Sequence, residues 1–132
     1  MSGLAVFDTS IFVGQESRGL LVTSDWVPIV AFPTIAELQL GVMLAEARGD
    51  DTTRVMRQIT LDSARKARLV GVTTAPDDLI TVAWCTLRVA LKRAIPANDS
   101  WIAATALALG LPVLTQDDDY DAASDLIEVV RL

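Results

Sequence analysis

The chain has 132 residues, 52% of them hydrophobic, a net charge of −6, one cysteine and no histidine. Those values exclude a disordered chain, an internal disulfide, a histidine metal site and a histidine general base. The negative balance also argues against non-specific adhesion to nucleic acid over the whole surface, leaving only local basic patches for that purpose.

The length predicts one domain over 1–132, able to bury a core without disulfide or metal staples. Leu4-Ala5-Val6-Phe7 reads as a first buried strand. It ends at Asp8-Thr9-Ser10, and Ile11-Phe12-Val13 can open a short helix for which Asp8 would serve as N-cap. Residues 27–32 read as a second strand, with Pro28 near its start where proline is tolerated. A helix is expected from Pro33-Thr34 to about Arg48, with Ile35, Leu38, Val42 and Ala45 on one face and Leu40, Met43, Leu44 and Ala47 on another. A helix apolar on two sides is deeply buried or shared with a partner. Thr34 and Glu37 at i, i+3 also fit a capping box.

After the turn at Gly49-Asp50-Asp51, a helix from about Thr52 to Ala67 is expected. Arg54, Arg57, Arg65, Lys66 and Arg68 gather here, as a solvated face or a phosphate-tracking surface. Val70-Gly71-Val72 reads as a minor strand or a connection. Thr74-Ala75-Pro76-Asp77 starts the next helix, with Ile80, Ala83, Trp84, Leu87 and Leu91 as its core stripe; Asp77 and Asp78 suit its first turn, and Cys85 reads as a small buried residue. Asn98 is a good N-cap for a helix that Gly110 ends in a left-handed conformation. Strands at 112–115 and 127–130 complete the chain. Alternation of strands and helices predicts an α/β fold, layered around a mainly parallel sheet. With no basic segment followed by a long apolar run at the N-terminus, and no run of membrane-spanning length, a cytoplasmic protein without membrane contact is expected.

Asp8 and Asp117 each follow an apolar strand, while Glu37 and Asp99 each occupy the first turn of a helix. In a parallel α/β sheet, strand carboxyl ends and the following helix starts share one edge, where ligands bind. Four carboxylates meeting there repel one another unless a cation or protons compensate. Oxygen-only donors point to Mg²⁺ or Mn²⁺, and such an ion with substrate phosphate suits phosphodiester hydrolysis. Asp117, Asp118, Asp119 and Asp121 crowd one turn; Asp117 is expected to face the ion, with Asp119 in reserve.

The blocks Asp8-Thr9-Ser10, Thr34-Ile35-Ala36-Glu37-Leu38, Asn98-Asp99 before Ile102-Ala103-Ala104-Thr105-Ala106, and Thr115-Gln116-Asp117 with Asp119-Tyr120 resemble a PIN domain. The single-domain format resembles more narrowly the VapC toxins of bacterial type II toxin–antitoxin pairs. The resemblance spans the chain and implies a three-layer α/β/α fold and a Mg²⁺- or Mn²⁺-dependent endoribonuclease acting on tRNA or ribosomal RNA. It assigns metal and catalytic roles to Asp8, Glu37, Asp99 and Asp117, with Thr9, Ser10, Thr115 and Asn98 in support. It also implies a homodimer and a cognate VapB antitoxin whose C-terminal segment enters the acidic cleft.

Two other readings compete. A Mg²⁺-dependent phosphatase or phosphoaspartate domain also gathers acids at strand ends, but it calls for a lysine after a late strand, and Lys66 and Lys92 both fall on expected helices. A non-catalytic PIN-like interaction module would tolerate loss of the acids, yet all four are present.

Overall fold

A computed structural model of the protein describes residues 3–18, 25–73, 78–91 and 93–132. In chain order its elements are β1 (Gly3–Phe7), α1 (Thr9–Arg18), β2 (Trp26–Ala31), α2 (Phe32–Ala47), α3 (Asp51–Arg65), β3 (Arg68–Val70), α4 (Leu79–Ala90), α5 (Ala97–Leu109), β4 (Val113–Thr115), a 3-10 turn (Asp119–Ala123) and β5 (Val129–Arg131). The five strands form one sheet in the order β3-β2-β1-β4-β5, and every pairing is parallel.

Alternation along the strands explains the layering, since successive side chains point to opposite faces. Ala5, Phe7, Val30 and Leu114 face one side, where they pack with Ile11 and Phe12 of α1, Leu38 and Val42 of α2, and Leu61 and Ala64 of α3. Val6, Ile29, Ala31 and Val113 face the other, against Ile80, Ala83 and Leu87 of α4 and Ile102, Ala103 and Ala106 of α5. Both faces of the sheet are therefore covered, as a parallel sheet requires. The expected three-layer α/β/α architecture is the one observed.

The chain moves outward from β1 to β2 and β3, then returns to lay β4 on the other side of β1. This makes the β1/β4 junction a topological switch point, where the strand ends leave a crevice. Val6 pairs with Val113 and Phe7 with Leu114, so Asp8 emerges beside Thr115.

Local boundaries differ from expectation in instructive ways. Helix α2 begins at Phe32 with Pro33 in its first turn, so Thr34 lies inside the helix, fully buried, and the Thr34–Glu37 capping box does not form. Pro96, rather than Asn98, is the N-cap of α5, which leaves the Asn98 side chain free for another role. Gly110 does end α5 at φ 65°, in the left-handed region where glycine has no Cβ penalty. Cys85 is exposed, because the inward stripe of α4 runs through Ile80, Ala83 and Leu87 and turns Cys85 outward. The expected helix start at 74–77 lies outside the described residues; Asp78 caps α4 by accepting from Ile80 N at 2.8 Å and Thr81 N at 3.1 Å. A minor strand does form, at Arg68–Val70, and the last strand sits slightly later than expected, at Val129–Arg131.

The basic cluster on α3 is largely occupied. Arg57 pairs with Glu16 of α1, Arg54 approaches Asp51 at 3.8 Å, and Arg65 donates to Gln39 at 3.3 Å. Among the described residues no helix is long and apolar enough to cross a membrane.

Candidate active site

Asp8 is the best-anchored acid. It follows β1 at the switch point and is only 2% exposed, so its oxygens depend on protein donors. Oδ2 accepts from the Thr115 hydroxyl at 3.0 Å and from Ser10 N at 3.3 Å; Oδ1 accepts from the Tyr120 hydroxyl at 2.7 Å. The single Thr115 hydrogen is committed to Asp8. The Ser10 hydroxyl, 3.2 Å from Thr115 Oγ1, is therefore the donor in that pair. Ser10 Oγ accepts from Gln116 N at 2.9 Å and Thr115 Oγ1 from Asp117 N at 3.0 Å, so the same two hydroxyls also fix the turn after β4.

Glu37 reaches the same place from the second turn of α2. Its Oε1 accepts from the Thr9 hydroxyl at 3.1 Å, and Thr9 lies the same distance from Thr34 Oγ1. Partial burial raises the Glu37 carboxyl above its ordinary value, helped by the nearby Asp8 and Asp117, while hydrogen bonds from Thr9 and Asn98 oppose the rise. Asn98 thus lies beside Glu37 at the edge of the site.

Asp99 enters on the first turn of α5, which the α4 helix clamps. The Trp84 indole N–H donates to Ser100 Oγ at 2.9 Å, Ser100 donates to Ala97 O at 2.5 Å, and Trp84 stacks on Trp101 with ring centroids 4.8 Å apart. Burial, then the Asp8 and Asp119 charges, push the Asp99 carboxyl up to about 7. Asp117 is raised too, by burial and then by Asp8 and Asp119.

Asp8, Glu37, Asp99 and Asp117 line one cleft of 340 Å³ together with Thr9, Ser10, Val13, Gly14 and Gln116, and among the described residues no Lys or Arg lines it. The crowded turn separates into distinct roles. Asp117 faces the cleft, Asp119 stands against Asp99, and Asp121 is held away by Arg131 through two contacts of 2.8 Å. Larger hollows lie elsewhere, but their linings do not gather acids in this way.

Tyr120 is the functional residue that sequence reasoning passed over. It is fully buried, and its hydroxyl lies 2.7 Å from Asp8 and 3.3 Å from Asp99. Burial and then those two negative charges push its ionisation far upward, so it stays a donor, and its one hydrogen serves the shorter contact. The clue was available: this is the chain's one tyrosine, placed directly after the acidic turn.

The site offers carboxylate, hydroxyl and carboxamide oxygens and no nitrogen or sulfur ligand, which suits a hard divalent ion. Three of its acids are raised, first by burial and then by the negative charges of the neighbouring acids. Among the described residues no three acids are drawn together into a ready-made cage.

A parallel sheet with an acid-lined crevice at its switch point defines the class, and the family model described as PIN domain matches residues 5–126; the chain belongs to the PIN-domain family. Within that family it groups with the VapC ribonucleases. It is 36% identical to Ribonuclease VapC4 of Mycobacterium tuberculosis over 135 aligned residues, covering 97% of this chain and 96% of that one. It is 37% identical to Ribonuclease VapC5 of the same organism, covering 96% and 94%. Among solved structures, VapBC-5 from M. tuberculosis, a member of the VapBC family of toxin–antitoxin systems, has a chain that superposes with a TM-score of 0.78 at 34% identity, covering 98% of both chains.

Proposed function

We propose that this protein is a Mg²⁺- or Mn²⁺-dependent endoribonuclease, the toxin of a VapBC-type pair, which hydrolyses phosphodiester bonds in structured RNA such as tRNA or ribosomal RNA. The observation that carries the reading is the convergence of Asp8, Glu37, Asp99 and Asp117 on one cleft that, among the described residues, no basic side chain lines. The relatives support it, since two are named ribonucleases and a superposable structure belongs to a toxin–antitoxin system.

Asp8 and Asp99 are the main ligands in this reading, with Glu37 and Asp117 completing the donor set directly or through water. A bound divalent ion supplies Lewis acidity toward a phosphate oxygen and a more acidic water. The chain itself supplies orientation. Tyr120, Thr115 and Ser10 hold both Asp8 oxygens in place, so that carboxylate needs no reorganisation when substrate arrives. Glu37, held by Thr9 and disposed to take up a proton, is placed to accept one at its carboxylate from an attacking water. Substrate phosphate would add negative charge to a cleft that is already acidic, so RNA binding there would depend on a bound cation.

The partner reading rests on surface chemistry. An acidic cleft suits a basic side chain from an antitoxin segment. Leu40, Met43 and Leu44 on the outer face of α2 are 55%, 58% and 50% exposed, a patch suited to a VapB-type antitoxin or a second copy. Both partners, and a cytoplasmic setting, belong to this proposal.

The test is direct. Purified protein freed of antitoxin is incubated with several structured RNAs in Mg²⁺ and, in parallel, in EDTA. Discrete cleavage in Mg²⁺ and none in EDTA supports the reading. Intact RNA under both conditions leaves the non-catalytic interaction module as the better account.

A further inference from the structure

Glycine in the interior of a helix costs stability relative to alanine, so Gly14 in α1 calls for a local reason. The reason lies across the cleft wall. A Cβ on Gly14 would lie 2.8 Å from Gln116 Cδ and closer still to Oε1. The terminal amide of Gln116 therefore packs against the bare backbone of α1 with Oε1 nearest and Nε2 farthest, and both residues line the acid-lined cleft. Its backbone is pinned as well, because Gln116 N donates to Ser10 Oγ at 2.9 Å, between Thr115, which holds Asp8, and Asp117.

The cleft's other polar groups are of two kinds. Four are acids, which repel RNA phosphate and offer no donors when ionised. The Thr9 and Ser10 hydroxyls already serve Glu37 and Thr115. Among the described residues nothing bonds to the Gln116 carboxamide, so the cleft lining keeps one uncommitted group with a donor and an acceptor side by side. That pairing matches the edge of a nucleobase, which a glutamine can read with two bonds, better than it matches a phosphate.

We infer that Gln116 reads a base beside the scissile phosphate and that Gly14 is the seat that lets it do so. The inference rests on the ribonuclease reading above. Gln116 is a specificity determinant, and Gly14 acts through it as a positioning residue.

The experiment sequences the cut ends after wild-type, Gln116→Ala and Gly14→Ala proteins act on an RNA pool randomised around a cleaved site. The wild-type protein is expected to prefer one or two bases at a single flanking position. Both variants should reduce that preference by about tenfold, within the range of a two-bond contact to a base edge. Gly14→Ala is the sharper probe. It puts a better helix former into α1, so its melting temperature should equal or exceed the wild-type value while its preference collapses. Mn²⁺ affinity, measured by calorimetry, should be the same in all three proteins.

A wild-type protein that cuts without flanking preference overturns the inference, and so do variants that keep the wild-type preference, whether or not they are slower. A wild-type protein that cuts no RNA removes the nuclease reading itself, which is a separate and distinguishable outcome.

Discussion

Tyr120 donates its phenolic hydrogen to Asp8 at 2.7 Å across 112 positions of sequence, with both residues buried. The bond ties the acidic turn after β4 to the end of β1 and so sets the geometry of the switch-point crevice. Tyr120→Phe keeps the ring volume and leaves one oxygen of a buried carboxylate without its donor. It should lower unfolding free energy by about 2 kcal/mol at neutral pH, the scale for a hydrogen bond to a charged group. Urea denaturation of the two proteins measures this. RNA cleavage should fall along with it, because Asp8 loses orientation.

Asp99 sets the pH response. Its folded-state carboxyl is raised to about 7 from an ordinary 3.8, chiefly by burial and then by Asp8 and Asp119. Between those values the folded protein binds more protons at this group than the unfolded chain does. The sign is therefore negative: metal-free stability should fall as pH rises from about 4 to about 7, and the contribution should level off above that. Melting temperatures in EDTA across this window test the slope, and a rising or flat profile contradicts it. Saturating Mg²⁺ should flatten the profile by replacing the proton as the compensating charge.

Asp99→Asn separates catalytic from structural roles. It removes a repelled charge, so the metal-free variant should be as stable as the wild type or more so at pH 8, while cleavage drops by at least about a hundredfold, on the scale of losing one preorganised electrostatic group. A variant that unfolds instead would return Asp99 to the ordinary role of a first-turn acid at the N-terminus of α5.

The arginines of α3 divide by burial. Glu16, whose side chain is 6% exposed, is held by Arg57 and also accepts from Thr60 at 2.5 Å. Arg57→Ala should cost roughly 2 kcal/mol, less than the range for a fully buried pair because Arg57 itself is 30% exposed. Arg54→Ala, which loses only a 3.8 Å contact to an exposed Asp51, should change stability by less than about 0.5 kcal/mol. Chemical denaturation of both variants checks the contrast, and equal losses would contradict it.

Much of the fold was legible because burial on both faces of a parallel sheet leaves apolar runs, and such runs at 4–7, 27–32 and 112–115 fall on β1, β2 and β4. The four acids were legible for a related reason: Asp8 and Asp117 sit where strands end, and Glu37 and Asp99 sit near where helices begin. What sequence could not supply were contacts made only by folding. Tyr120 acquires its role from a partner 112 positions away. Asn98 looks like a cap until Pro96 takes that position, and the Thr34 capping box disappears once Pro33 draws the helix start upstream. Cys85 was misread because a helix of mixed apolar residues leaves its inward stripe ambiguous until Ile80, Ala83 and Leu87 pack.

The most direct measurement is a cleavage time course on a 5′-labelled structured RNA, with antitoxin-free wild-type and Asp99→Asn proteins, over a Mg²⁺ titration that begins in EDTA. The account predicts discrete products from the wild type that rise with Mg²⁺, and none from Asp99→Asn at any concentration. Cleavage that persists in EDTA, or that Asp99→Asn retains in full, would contradict it.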